Sequence, residues 1–309
     1  MEKVCILLST YNGETYLREQ LESLVAQKKV ELNLIVRDDG SKDGTVDILN
    51  EYAKKINWLD MPKELSEFHC SEGIGSSFIH LLRYAVRTYP DTNYFGFADQ
   101  DDVWFEDKVI RAIQKLKNFE KEKALYFSKK KIVDQDLNVI RKDSLSYHNN
   151  FCDFLSPNDA FGCTMLLTRA FAEMLLTAEV EKFPYLHDVF ICKTALCTNV
   201  KIVYDEAETM YYRQHGNNVT GDRIPRLLTL VNIKKIFRKR RHYLSKLTED
   251  ILNYYYEWIP ELVKEKLIMV RDYRNPINAC KLLNIYYTES DRSFKEKLHF
   301  TMMIILRGI

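Results

Sequence analysis

No stretch of this 309-residue sequence approaches the roughly 20 consecutive apolar residues that cross a bilayer. Met1-Glu2-Lys3 leads into a short run, Val4-Cys5-Ile6-Leu7-Leu8, too brief for a secretory leader and without a cleavage site. The expected location is therefore cytoplasmic. The seven cysteines (Cys5, Cys70, Cys152, Cys163, Cys192, Cys197 and Cys280) form no Cys-x-x-Cys pair and are odd in number, which argues against a zinc site and a disulfide framework. They read as small buried hydrophobes in a reducing compartment. A net charge of +1 leaves no global field to draw the chain onto nucleic acid or lipid. Gly-x-Gly-x-x-Gly is missing after the first apolar run, so a dinucleotide-dependent oxidoreductase lacks its phosphate turn. There are no internal repeats and no low-complexity segments.

What is present is an α/β pattern. Residues 4–8 form an apolar run that Ser9-Thr10-Tyr11-Asn12-Gly13 breaks, and helical spacing follows at Tyr16, Leu17, Leu21, Leu24 and Val25. A second run, Leu32-Asn33-Leu34-Ile35-Val36, ends at Arg37-Asp38-Asp39-Gly40 and leads into a helix with Val46, Ile48, Leu49 and Tyr52. Strand, turn, helix, repeated, predicts a parallel sheet with both turns on one edge. A third helix is expected over 76–87, and further strands at 94–97, 125–127, 165–167 and 200–204. Beyond about Asp222 glycine nearly vanishes and helical spacing dominates. The expected domains are 1–221 and a helical region, 222–309.

The densest chemistry is Asp99-Gln100-Asp101-Asp102-Val103-Trp104, three carboxylates directly after the aromatic run Tyr94-Phe95-Gly96-Phe97. Acids at the C-terminal end of a strand stand where open α/β sheets bind ligands. Crowded carboxylates repel and call for a hard cation, Mg²⁺ or Mn²⁺, which commonly shares its shell with substrate phosphates. The bland alternative is a solvated acidic turn. At the first turn, Thr10, Tyr11 and Asn12 can hold a base and ribose, with the Tyr11 ring available to stack. At the second, ionised Asp38 and Asp39 are acceptors suited to a pyrimidine N–H or ribose hydroxyls. Asp43 reads as a helix-capping residue.

Leu8-Ser9-Thr10-Tyr11-Asn12-Gly13, Arg37-Asp38-Asp39-Gly40-Ser41-Lys42-Asp43-Gly44-Thr45 and Asp99-Gln100-Asp101-Asp102-Val103-Trp104 resemble the ordered motifs of family 2 glycosyltransferases. Phe161-Gly162-Cys163-Thr164 and Tyr212-Arg213-Gln214-His215-Gly216-Asn217-Asn218-Val219 resemble the bacterial rhamnosyltransferase-like branch. The resemblance covers about residues 4–221. It implies a GT-A fold, a Rossmann-like, mostly parallel sheet flanked by helices. It places Thr10, Tyr11 and Asp38 at the base and ribose, Asp99 at the ribose or donor sugar, and Asp101 on the metal with Asp102 nearby. It implies that Asp188, in Leu186-His187-Asp188-Val189-Phe190, is the general base of an inverting transfer. The alternative for Asp188 is a helix cap, and His187 either orients it or is structural. The resemblance folds the Arg213–His215 loop over the donor, with Arg213 on the diphosphate and His215 on metal or phosphate; a solvated His215 is the alternative.

The chain departs from that branch twice, with Ser71 two positions before Gly73 where asparagine is usual, and Val189-Phe190 where tryptophans follow the His-Asp pair. A basic run, Lys234-Lys235-Ile236-Phe237-Arg238-Lys239-Arg240-Arg241, and the tail from Phe294, with Phe300, Met303, Ile304 and Leu306 close together and Lys295, Lys297 and Arg307 at its ends, suggest a membrane surface. The alternative is a helix packed on the protein or a homodimer contact. Nucleic acid is not expected, since the aromatic-rich RNA-binding signatures are missing. The expected activity is transfer of a sugar from a nucleotide-diphosphate donor, dTDP-rhamnose first and UDP-hexoses next, to a glycan or lipid-linked glycan of a bacterial surface polysaccharide. A sugar-nucleotide nucleotidyltransferase would need a Gly-rich basic loop where this chain has residues 9–13. A non-catalytic nucleotide-sugar-binding protein of the same fold would not depend on Asp188.

Overall fold

The computed structural model describes residues 1–66, 74–143, 145, 147–156, 160–178, 184–216 and 242–305. Ser71, Gly73, Asn217–Val219, the basic run at 234–241 and Leu306-Arg307 lie outside the described residues. The chain divides into two compact units: one of Met1–Tyr147, Asp159–Cys192 and Val200–Gly221, the other of His148–Asn158, Lys193–Asn199 and Asp222–Ile309. The second unit thus also takes in 148–158 and 193–199, which the expected division at 221/222 assigns to the first domain.

In the first unit, β1 (Glu2–Thr10), α1 (Leu17–Val25), β2 (Val30–Asp38), α2 (Thr45–Lys55) and the short β3 (Leu59–Asp60) and α3 (Lys63–Ser66) precede α4 (Ile74–Thr88) and β4 (Tyr94–Ala98). Then come β5 (Val103–Trp104), α5 (Lys108–Leu116), β6 (Ala124–Val133), β7 (Val139–Arg141), α6 (Phe151–Leu155, which belongs to the second unit), β8 (Leu166–Thr168), α7 (Arg169–Leu176), α8 (His187–Cys197, whose residues from Lys193 on belong to the second unit) and β9 (Lys201–Arg213). The sheet runs β3-β2-β1-β4-β8-β6-β9-β5, with β7 on β6.

The α/β architecture is as expected, and the sheet is more mixed than a mostly parallel one. β3, β2, β1 and β4 are parallel, as is β6 with β9, whereas β8 runs antiparallel to both β4 and β6, and β5 and β7 pair antiparallel to β9 and β6. Val4 to Leu8 are wholly buried, as are Tyr94, Phe95, Phe97 and Ala98. Such continuous apolar runs are what strands covered on both faces require. Helices α1, α2 and α5 cover the sheet with Leu17, Leu21, Ile48, Leu49, Val109 and Ile113 in one shared core.

This register fixes the site. Thr10 sits opposite Asp38, and Leu8 opposite Ala98. The turns after β1, β2 and β4 therefore leave one edge of the sheet side by side.

The second unit is helical: Tyr243–Tyr255, Glu261–Arg271, Pro276–Glu289 and Phe294–Ile305, with α6. Its core includes Leu247, Ile251, Tyr255, Leu267, Val270, Leu282 and Tyr286. A buried polar cluster joins it. Arg292 donates to Asp153 at 2.9 Å, and Lys193 donates to the carbonyls of Asp153 and Ser156, each at 2.7 Å. Phe300 and Ile304, expected on an interfacial surface, are instead buried in this unit, Phe300 against Tyr286.

Candidate active site

The three turns are stitched together by hydrogen bonds. The Gln100 side chain accepts from the Tyr11 N–H at 2.8 Å and donates to the Tyr11 carbonyl at 3.0 Å. Asn12, in the left-handed region at φ 47°, donates its N–H to Ser41 Oγ and accepts from the Lys42 N–H at 2.8 Å. Asparagine tolerates that backbone better than most residues because its short amide bonds locally. The Gly13 N–H donates to Thr45 Oγ1 at 2.7 Å, and a Cβ at Gly13 would meet Gln100 Oε1 at 2.3 Å, so a larger residue here would push the Gln100 amide from its bonds to Tyr11. Asp43 accepts from the Thr45 N–H at 3.1 Å, a local role like the capping one expected.

Asp38 accepts from Thr10 Oγ1, Ser41 Oγ and the N–H groups of Gly40 and Ser41. A carboxylate has about four lone-pair positions, and the turn itself takes them. Asp38 thus builds the turn, where a base or ribose contact was expected. Asp39 pairs with the buried Arg37, Nε to Oδ1 3.0 Å, and accepts from Ser77 Oγ at 2.8 Å. Tyr11 is exposed at the rim, 55% accessible, while Thr10 lies beneath it at 1%.

The acidic segment separates into two levels. Asp101 points toward the chain after β9, where His215 Nε2 lies 2.7 Å from its Oδ2. Asp102 is buried, 1% exposed; one oxygen accepts from the Arg213 N–H at 3.2 Å and the other, Oδ2, has no hydrogen-bond partner among the described residues. Asp99, Asp102 and Cys163 each offer a ligand atom, all within 4.8 Å of one another. Burial, then the charges of Asp101 and Asp188, push the Asp99 carboxyl up to about 7. Burial, then Asp101 and Asp99, hold Asp102 well above the carboxylate range. These crowded acids resist ionising together. An orphaned buried carboxylate oxygen beside two further acids is a donor set that fits a divalent cation.

The diphosphate role expected of Arg213 does not match its side chain. Arg213 is 1% exposed, donating to the Asp101 carbonyl at 2.9 Å, to Glu19 Oε2 at 2.6 Å and to the Gln135 carbonyl, with its guanidinium 4.4 Å from the Tyr16 ring centroid. Its donors are turned into the fold, where they hold the backbone of Asp101.

Asp188 stands in the first turn of α8. Burial raises its carboxyl to about 6, while the N–H groups of Val189 and Gly162 and the charge of Lys130 work against that rise. The Val189 N–H lies 2.7 Å from Oδ1. His187 does not orient it. Its ring lies between Phe78 and Phe97 at 4.1 and 4.9 Å, neither ring nitrogen has a hydrogen-bond partner among the described residues, and burial lowers it to about 3. It is a neutral core residue against which Gly162 packs so closely that a Cβ would meet Nε2 at 2.1 Å.

Sequence reasoning missed two buried lysines. Lys130 Nζ sits 3.4 Å from the Phe161 ring centroid, 5.2 Å from that of Tyr212 and 3.5 Å from Asp143. Lys108 lies 4.6 Å from the Trp104 ring and donates to Thr209 Oγ1 at 3.3 Å; burial lowers it to about 8, with the charges of Cys163 and Asp102 opposing. Lys130 sits mid-strand in a Lys-Lys-Lys run, and only its inward alternation distinguishes it.

Residues 5–175 match the family described as Glycosyl transferase family 2. The chain is 29% identical over 235 residues to the dTDP-rhamnosyl transferase RfbG of Shigella flexneri, covering 70% of this chain and 74% of that one. It is 23% identical over 277 residues to an Escherichia coli protein, the UDP-Glc:alpha-D-GlcNAc-diphosphoundecaprenol beta-1,3-glucosyltransferase WfaP, covering 89% of this chain and all of that one. Among solved structures, S. aureus TarS (residues 1–349, in complex with UDP-GlcNAc) superposes with TM-score 0.57 at 16% identity, over 99% of this chain and 82% of that one. A mannosyltransferase of Pyrobaculum calidifontis, in complex with GDP-Man and Mn²⁺, superposes with TM-score 0.52 at 14% identity, over 98% and 84%.

Proposed function

This chain belongs to glycosyl transferase family 2, and on that premise we propose that it transfers a sugar, with inversion, from a nucleotide-diphosphate donor to a lipid-linked glycan in the assembly of a bacterial surface polysaccharide. The observation that carries this reading is the gathering of Asp99, Asp101, Asp102, His215 and Asp188 at the ends of β4, β9 and α8.

Tyr11 and Asn12 line the base and ribose side, over the scaffold that Thr10, Asp38 and Asp39 make. Asp99 meets the donor's ribose or sugar. Asp101 and His215 hold a divalent cation, Mg²⁺ or Mn²⁺, with Asp102 and Asp99 adjoining. When bound, such a cation offsets the negative charge that grows on the departing nucleoside diphosphate. Asp188 takes the proton from the acceptor hydroxyl as that oxygen attacks the anomeric carbon opposite the leaving group. A carboxyl raised to about 6 is a stronger base than an ordinary one and is still mostly ionised at neutral pH.

dTDP-rhamnose is the first donor, in keeping with the likeness to the Shigella protein. A UDP-hexose is the second reading, in keeping with the likeness to the E. coli glucosyltransferase. Melting temperatures across a panel of nucleotide sugars, with and without Mn²⁺, separate them, because a ligand that binds only the folded chain raises its melting point. dTDP-rhamnose with Mn²⁺ should give the largest rise. A larger rise with UDP-glucose selects the second reading, and no rise with any donor contradicts both.

A further inference from the structure

Gln100 is the one uncharged residue of Asp99-Gln100-Asp101-Asp102, and its side chain leaves the acidic segment for the turn after β1. There its Oε1 accepts from the Tyr11 N–H at 2.8 Å and its Nε2 donates to the Tyr11 carbonyl at 3.0 Å. One side chain, 89 residues away in sequence, thus holds both polar groups of the Tyr11 backbone. A neighbouring strand would offer the same pair, one acceptor and one donor, from its own backbone. Glutamine can stand in for it because its amide carries an acceptor and a donor side by side, whereas glutamate of the same length offers acceptors only.

The two ends of this bridge differ in firmness. On the acidic side, Ala98 is paired with Leu8 in the sheet, the Asp101 carbonyl accepts from the buried Arg213 at 2.9 Å, and Asp102 is buried. On the other side Tyr11 and Asn12 are exposed, and Asn12 holds a φ of 47°, a backbone region that few residues other than glycine enter. Exposed turns of this kind are the first parts of a fold to open. A ligand that has to order a turn on binding loses affinity to that ordering, and a turn already held spares it the loss. Through Gln100 the order of the acidic segment is carried outward to the rim.

We propose that Gln100 is a positioning residue of the donor site. It presets Tyr11 and Asn12 for base and ribose from the same segment that supplies Asp99 and Asp101, and so sets how strongly the site prefers a nucleoside diphosphate to bare pyrophosphate. The proposal rests on the reading of Tyr11 and Asn12 as the base and ribose side. It adds a determinant of nucleotide preference that touches neither the cation nor the reacting atoms.

Calorimetry with Mn²⁺ measures dTDP and inorganic pyrophosphate on the full-length wild type, Gln100→Ala and Gln100→Glu, with UDP in place of dTDP if the wild type binds it more tightly. The readout is the pyrophosphate Kd divided by the nucleoside diphosphate Kd, which isolates what base and ribose contribute. A disturbed cation site, or the added charge of Gln100→Glu, acts on both diphosphates alike and leaves that ratio in place. Both bonds lie at the exposed rim, so the variants should melt with the wild type. The ratio should fall about tenfold in each variant, the worth of one to two neutral hydrogen bonds. A ratio unchanged in Gln100→Ala overturns the proposal, and one unchanged in Gln100→Glu overturns the two-point grip on which it stands. A wild type that binds pyrophosphate as tightly as either nucleotide, or that binds none of them, removes the base and ribose reading itself and the proposal with it; because that result appears in the wild type alone, the two failures are distinct.

Discussion

The imidazole of His215 lies 2.7 Å from the carboxylate of Asp101, across 114 residues of sequence. The contact brings the end of β9 over the acids that follow β4. His215 also lies 4.9 Å from the Tyr16 ring, which fixes the imidazole's attitude. The sequence offered a solvated loop histidine as its alternative, and this contact decides against it. His215→Ala should weaken Mn²⁺ binding by about 10- to 100-fold and reduce transfer in parallel. Manganese titration by calorimetry checks this; unchanged affinity removes His215 from the cation site.

Protons and metal should compete at Asp99. Its carboxyl sits near 7 without a cation, chiefly through burial, so below that pH it is largely protonated and above it largely ionised. A cation binds the ionised form. The rise in melting temperature with Mn²⁺ should therefore grow between about pH 6 and about pH 8. A rise that is flat or falls over that interval contradicts the arrangement.

Asp188→Asn should cut turnover by on the order of a hundred- to ten-thousand-fold while leaving donor affinity nearly intact, because the amide keeps the shape and loses the base. The wild-type rate should fall as pH drops through about 6, where the carboxylate takes up a proton. Full turnover in the Asn variant removes Asp188 from the chemistry.

Lys130 should move that acid limb. Its ammonium favours ionised Asp188, and it lies over Phe161, whose neighbour Gly162 donates an N–H to the same carboxylate. The charge of Asp188 in turn raises the Asp99 carboxyl. Removing the cation raises the Asp188 carboxyl, so the limb in Lys130→Met should shift to higher pH, and Lys130→Arg should restore it. Because Asp143 would lose the ammonium that pairs with it in the interior, at a cost of about 3–5 kcal/mol, Lys130→Met/Asp143→Asn is the cleaner variant. An unmoved limb in the folded double variant makes Lys130 a packing residue only.

Arg213 separates scaffold from ligand contact. Arg213→Lys loses the fork that reaches Glu19, Gln135 and the Asp101 carbonyl together, and should destabilise the fold by about 2–4 kcal/mol with donor affinity little changed. A weakened donor with an unchanged melting point returns Arg213 to the diphosphate.

What the sequence disclosed follows from its periodicities. Val4–Leu8 and Tyr94–Phe97 read as strands because both faces of each are covered, and the turns after them read as a site because their polar residues interrupt apolar runs. Two-residue β5 gave no such pattern; Val103 and Trp104 pair with Tyr211 and Met210 through contacts remote in sequence. Arg213 was legible as important and illegible in role, since a guanidinium suits a phosphate and a set of carbonyls equally. Phe300 and Ile304 shared a stripe with exposed neighbours, and only the fold of the second unit distinguishes its two apolar sides.

Nucleoside-diphosphate binding, followed by calorimetry with Mn²⁺ and again after chelation, puts the acidic edge most directly to the test. With the cation present the diphosphate should bind, and after chelation it should bind about tenfold more weakly or not at all; Asp101→Asn should abolish the difference. Equal affinity in both conditions contradicts the account.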